Sequence, residues 1–307
     1  MKATVLTGFG GTENFSVQDV PNPQAGPGQV RVRIEAIGIN PLEFKIRLGW
    51  MQQFMPITFP AILGSEVAGT VDQVGEGVTD FALGDRVAGF VDSGAYAEAA
   101  LARPAALIRI PPQLTFEQAV TLPLAAETAQ RALAPLKIQS GETVVVNGAA
   151  GGVGTIAVQL LVQDGARVIG TASAANAEYV RSLGAEPVTY GEGALDRIRA
   201  LAPQGVDAVF DVAGHGFLND AIALRGGPDR IITIADFDAP ALGIPVSGGD
   251  PGGLKADTLQ RVIDLAAQGK LTTHIDHTFA FDQLPDAQAM SEAGHVRGKL
   301  VVRGSGR

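Results

Sequence analysis

Asn147-Gly148-Ala149-Ala150-Gly151-Gly152-Val153-Gly154 is the stretch whose residue types and spacing could do chemistry most directly. Glycines let a backbone approach a pyrophosphate closely, and a helix leaving such a turn aims unpaired N–H groups and the positive end of its dipole at phosphates. The apolar run Thr143–Val146 enters the turn, and Val153, Ile156, Ala157, Leu160 and Leu161 leave it at helical spacing, with Gly165 where a C-cap belongs. Written as G-x-G-x-x-G, the pattern has Ala149 at its first glycine, with Gly151 and Gly154 at the others. Two readings stay open on the glycines alone: a dinucleotide site, or a tight strand-to-helix turn in any α/β protein.

The elements around the turn give it context. Up to about Ile110 the chain shows short β-like runs broken by glycine and proline, which predicts a mostly β lobe. After Pro111-Pro112, Thr115 and Gln118 form a capping box for a helix that Pro123 interrupts before it resumes through Leu133. Beyond Gly141, strand-like and helix-like segments alternate to a helix near Asp257–Gln268, which implies a doubly wound parallel sheet with its ligand at the carboxyl ends of the strands. The strand-rich tail is expected to return to the first lobe and leave a cleft between the two.

Composition narrows the function classes. A chain of 307 residues, 46% hydrophobic and 18% charged, suffices for two lobes with substantial cores. No apolar run approaches the ~18 residues of a membrane helix, and the first residues lack a signal-peptide profile, so a cytoplasmic protein without a membrane partner is expected. A net charge of -9 without a Lys/Arg cluster argues against nucleic acid. With no cysteine, thiolate nucleophiles and Cys-ligated zinc are excluded. His274 and His277, three apart in a strand-like segment, point to opposite faces, so no metal site is expected.

Six stretches together resemble the medium-chain dehydrogenase/reductase superfamily in its zinc-free quinone and enone reductase branch. They are Gly38–Arg47, Leu63–Val71, Gly94–Glu98, Leu122–Leu124, the Ala149–Gly154 turn and Gly294–Lys299, and the resemblance covers nearly the whole chain. It implies a GroES-like catalytic domain (1–118), a Rossmann cofactor domain (119–270), a C-terminal segment returning to the first (271–307), and a homodimer. Zinc-dependent relatives carry cysteine where Asn40 stands and histidine where Ser65 stands, so the implied chemistry is hydride transfer to an already electrophilic acceptor. A small hydrophobic quinone or an α,β-unsaturated carbonyl compound fits.

The cofactor is expected at Ala150, Gly151, Gly152, Val153 and Gly154. The strand ending at Ala172-Ser173 lacks the carboxylate that NAD sites place about 20 residues beyond the glycines. That absence and the Ser173 hydroxyl favour NADPH, although Ser173 also suits a helix N-cap. The resemblance adds Tyr190 as a phosphate contact and Thr128 as a nicotinamide contact, whereas a helical threonine can also bond its own backbone. Its usual lysine after the second strand is replaced by Ala174, Ala175 and Asn176. Lys299 reaches a cofactor phosphate or is a solvated strand-end lysine.

Lys45 is the leading catalytic candidate, an ammonium to stabilise a developing enolate and deliver its proton; the competing reading pairs it with Glu43 or Glu66. Asn40 either hydrogen-bonds the substrate carbonyl or the nicotinamide ribose, or serves as a turn residue before Pro41. Arg47 and Glu66 are expected to form a buried ion pair. The segment Trp50–Phe59 reads as a wall or lid over a hydrophobic acceptor, or as core, and Ala239–Gly253 as a second loop near the cofactor. A different class also fits the fold, a catalytically weak NADPH-binding redox sensor or structural protein.

Overall fold

A computed structural model of the chain describes residues 1–248 and 256–306. Short β-branched runs broken by glycine and proline shape the first part. Strands β1 (Lys2–Leu6), β2 (Phe15–Asp19) and β3 (Val30–Ile39) precede helix α1 (Pro41–Arg47), then come β4 (Ala61–Ile62), β5 (Glu66–Val74), β6 (Arg86–Phe90), β7 (Ala99–Ala102) and β8 (Leu107–Arg109). In β3, valines at 30 and 32 turn inward while Arg31 and Arg33 face outward, and the second half is buried throughout. The helix expected after Pro112 is split as the proline requires, into α2 (Phe116–Ala119) and α3 (Pro123–Leu133). Its capping box forms: Thr115 Oγ1 accepts from the Gln118 N–H (3.1 Å) and Gln118 Oε1 from the Thr115 N–H (3.0 Å).

From Gly141 onward strands and helices alternate. The strands are β9 (Thr143–Asn147), β10 (Arg167–Ala172), β11 (Glu186–Thr189), β12 (Ala208–Asp211) and β13 (Ile231–Thr233). The helices are α4 (Gly152–Gln163), α5 (Ala177–Ser182), α6 (Ala194–Leu201) and α7 (Leu218–Arg225). The Val144–Val146 run is fully buried, as a strand covered on both faces demands. All four strand pairs are parallel, in the order β11-β10-β9-β12-β13. This is the doubly wound order that reverses direction next to β9. The loop expectation at Ala239–Gly253 is met by a short 3-10 turn at Ala239–Leu242 and a Val246 bridge to Thr233; its last five residues lie outside the described ones.

Helix α8 (Ala256–Ala267), β14 (Ile275–Phe279), α9 (Leu284–Ala293) and β15 (Lys299–Arg303) complete the chain. Residues 1–124, 256–270 and 274–306 form one compact unit, and residues 125–248 and 271–273 the other. In the first, β15 pairs antiparallel with β3, extending a sheet of order β14-β15-β3-β5-β6-β8, with β7 also on β3. The tail from residue 274 thus joins the β lobe, placing Lys299 beside the end of β3, and α8 belongs to the same unit, not to a cofactor domain of 119–270 as expected. Among the described residues no helix is long and apolar enough to cross a membrane.

Candidate active site

In the second unit the glycine turn is built by close backbone approach. A Cβ on Gly154 would stand 2.1 Å from the Gly148 carbonyl oxygen, so any side chain there would push α4 off the strand end. Gly148 itself has φ +88, and its Cβ would meet Ala213 at 2.9 Å. Helix α4 starts at Gly151 as N-cap with no side-chain capping bond and no acidic residue in its first turn. No carboxylate of the first turn therefore competes for its leading N–H groups, an arrangement that favours negative charge at a helix start. Ala150, Gly151, Gly152, Val153 and Gly154 are all brought to this one place.

Ser173 follows β10 as the N-cap residue of a 3-10 turn but makes no capping bond through its side chain. The register Ala172↔Thr189 and the bond from the Tyr190 N–H to the Ala172 carbonyl (3.2 Å) put Ser173 and Tyr190 side by side. The Tyr190 ring is half exposed. Arg181 is held by Glu178 on the surface of α5. A cation that the sequence reading missed does stand close: Arg197 of α6 donates to the carbonyls of Thr189 (2.7 Å) and Glu192 (3.0 Å). Its position, eight residues beyond Thr189 and across a glycine-bounded loop, left no local signal. Thr128 is buried on α3, and its hydroxyl bonds Glu127 (3.3 Å) rather than its own backbone; Glu127 in turn pairs with Arg131 at helical spacing.

The first unit gathers four polar side chains where β3, α1, β5 and β15 meet. Lys299 Nζ bonds Glu66 at 2.8 Å and also the Asn40 amide oxygen. Asn40 Nδ2 donates to Glu66 (3.1 Å), while the Asn40 N–H donates to Glu43 (2.5 Å) as N-cap of α1. The second Glu66 oxygen accepts the Leu124 N–H in the first turn of α3 (2.7 Å). Burial, opposed chiefly by the Lys299 charge, pushes the Glu43 carboxyl up to about 8.

Three expectations change here. Lys299 neither stands in solvent nor opens to a phosphate, because β15 carries it inward and a buried ammonium needs a carboxylate partner. Asn40 spends both ends of its amide inside this network instead of on a substrate. Arg47 and Glu66 do not pair: the guanidinium at the end of α1 faces α9 and bonds Glu292, Gln288 and the Gly10 carbonyl.

Lys45 sits half-buried in the last turn of α1, and burial lowers the pKa of its ammonium. The carboxylates of Glu43 and Glu66 are engaged elsewhere, as above. The following segment divides between its two readings: Met51 and Ile57 pack against the core, while Trp50 and Phe54 are 64% and 70% exposed. No charged residue occurs from Leu48 to Ser65. Among the described residues no group of three or more His, Asp or Glu could hold a metal ion.

A parallel sheet of this order with a glycine turn at its reversal defines a dinucleotide-binding unit, and it accompanies a mainly antiparallel β unit. Family comparison points the same way. Residues 26–112 match the alcohol dehydrogenase GroES-like domain, and residues 183–302 the zinc-binding dehydrogenase domain. The chloroplast envelope quinone oxidoreductase homolog of Arabidopsis thaliana is 33% identical, over 95% of either chain. A 2-methylene-furan-3-one reductase of Solanum lycopersicum is 30% identical, over 98% of this chain and 79% of the relative. Among solved structures, the quinone oxidoreductase from Coxiella burnetii superposes with TM-score 0.87 at 29% identity, covering 99% of both chains. A mycobacterial protein in complex with NADPH superposes with TM-score 0.85 at 28% identity, covering 99% of this chain and all of that one. The chain belongs to the medium-chain dehydrogenase/reductase superfamily, in its quinone oxidoreductase and enone reductase branch, and is an oxidoreductase.

Proposed function

We propose that the protein is an NADPH-dependent, zinc-independent reductase of α,β-unsaturated carbonyl compounds or quinones. The observation that carries this reading is the uncapped start of α4 behind a glycine turn that tolerates no side chain at Gly154. Ala150 to Gly154 would hold the pyrophosphate through backbone N–H groups. Ser173 and Tyr190, side by side at the ends of β10 and β11, would take the adenosine-side phosphate, and Arg197 adds positive charge at that strand end. Absence of a carboxylate after β10 removes repulsion towards a 2′-phosphate, and the mycobacterial relative bound to NADPH supports the same choice.

When bound, the nicotinamide supplies hydride to a conjugated carbon of the acceptor. The protein must then stabilise the negative charge that collects on the acceptor oxygen and return a proton. Lys45 meets both needs, because partial burial lowers its pKa and so makes Nζ a better proton donor. Asn40 acts as a positioning residue: it caps α1, the helix that carries Lys45. The uncharged, exposed aromatic surface of Trp50 and Phe54 supplies apolar contact to an oily acceptor. Zinc has no role in this chemistry, in keeping with a chain that lacks cysteine and has Asn40 and Ser65 at the positions where zinc relatives have ligands.

The test is consumption of NADPH, followed by absorbance, with a panel of quinones and enones and with NADH in parallel. Turnover that prefers NADPH supports the reading. Tight NADPH binding without turnover of any acceptor would assign the chain to cofactor sensing instead.

A further inference from the structure

Four buried polar side chains lie across the carboxyl ends of the parallel strands, one on each of β10, β9, β12 and β13: Thr171, Asn147, Asp211 and Thr233. They form a continuous chain of hydrogen bonds. Thr171 Oγ1 donates to Asn147 Oδ1 (2.5 Å), Asn147 Nδ2 to Asp211 Oδ1 (2.7 Å), and Thr233 Oγ1 to Asp211 Oδ2 (2.6 Å). Each end also grips a loop at the strand ends, Thr171 the one after the neighbouring β9 and Thr233 the one after its own strand. Thr171 Oγ1 accepts the Gly148 N–H of the glycine turn (3.0 Å), and Thr233 Oγ1 accepts those of Ala235 (3.1 Å) and Asp236 (3.2 Å). Asp211 Oδ1 accepts the N–H groups of Ala213 (3.3 Å) and Gly214 (2.9 Å).

Every hydrogen in this chain therefore points towards Asp211, from both sides, and such bonds polarise one another in a low-dielectric interior. The Asn147–Asp211 bond spans β9 and β12, the neighbours where the strand order reverses and where doubly wound folds take their ligand. The loop that Asp211 grips is backbone-strained: Gly214, His215 and Gly216 have φ of +71, +55 and +76 in succession. A histidine in the left-handed region persists only where its surroundings over-determine it.

We infer that Asp211 is a positioning residue for the cofactor: it locks the glycine turn and the loops after β12 and β13 into one preformed cradle, so that dinucleotide affinity rather than turnover depends on it. The inference rests on the reading that this unit holds NADPH. A preformed cradle spares the cofactor the ordering of three loops on binding. Thr233 is the discriminating partner, since valine has its shape but not its hydroxyl.

The experiment is calorimetric titration of NADPH into the full chain carrying Thr233→Val, Thr233→Ser, Asp211→Asn, or Thr233→Val with Asp211→Asn, alongside steady-state kinetics and thermal unfolding without ligand. Thr233→Val should weaken NADPH about tenfold, with KM for NADPH rising in step and kcat changing less than about twofold. Thr233→Ser should restore the parent Kd. Asp211→Asn places an amide donor against Thr233 and should weaken binding at least as much; the double variant should be no worse than the weaker single, because both changes cut the same bond. A Thr233→Val protein that unfolds at a lower temperature yet binds NADPH within about twofold of the parent overturns the inference, whether or not Asp211→Asn folds. A parent that binds neither NADPH nor NADH overturns the proposed function and this inference with it, whereas a binding parent with unaffected variants overturns the inference alone.

Discussion

Glu66 in the first unit and Asp211 in the second are both fully buried carboxylates with different sets of partners. Glu66 meets an ammonium at 2.8 Å beside the Asn40 amide and the Leu124 N–H, whereas Asp211 collects a side-chain amide, a hydroxyl and two backbone N–H groups. An ion pair of the first kind neutralises charge and staples elements distant in the chain. A carboxylate held by dipoles imposes direction on the groups around it, loops included. The contrast suggests that the β unit uses buried charge to fix its framework beneath α1, while the parallel-sheet unit uses it to shape the loops that receive a ligand.

Lys299→Met should break the comparison most severely. It strands Glu66 without its cation, and the loss should be about 3–5 kcal/mol of stability in urea unfolding at neutral pH. A loss under about 1 kcal/mol would mean that the pair behaves like a surface salt bridge, and the contrast would fail. Lys45→Ala should follow, lowering kcat on enones by about 100-fold with little change in NADPH KM. Equal turnover of variant and parent would end the catalytic assignment of Lys45.

Glu43→Gln separates the two carboxylates of the first unit by pH. The Glu43 pKa is raised from 4.5 to about 8 in the folded protein, so its contribution is complete below pH 4.5 and is lost as pH rises to 8, where the unfolded chain ionises first. Relative to the parent, the glutamine variant should therefore gain stability between pH 5 and pH 8, measured by urea unfolding at several pH values. A pH-independent difference would show that Glu43 is ionised in the fold. Ser173→Ala should have the smallest effect, a few-fold rise in NADPH KM at unchanged kcat, about 1 kcal/mol of binding. An unchanged ratio of NADPH to NADH efficiency would remove Ser173 from the cofactor site.

Much of the second unit was legible in the chain because its signals are local. Strand, glycine turn and helix follow one another within a few residues, and the β-branched run Thr143–Val146 can only be a strand covered on both faces. The Thr115–Gln118 capping box and the break at Pro123 were legible for the same reason. The polar partners of the first unit were not. Asn40 carried a visible turn signal before Pro41, but it reveals neither the helix that follows nor that Lys299 arrives from the far end of the chain. Arg47 pairs with Glu292 and not with Glu66 because the packing of α1 on α9 brings the guanidinium to that carboxylate, which no local signal shows.

From its order of residues alone this protein determined the strand-and-helix alternation of its dinucleotide unit, its superfamily, and the absence of thiol chemistry, since each depends on residue type or on spacing within one or two turns of chain. Tertiary structure alone decided which buried polar groups meet: Lys299 with Glu66, and Asn147 with Asp211. Hydrogen bonds act over about 3 Å, and only the sheets bring residues dozens to hundreds of positions apart within that reach.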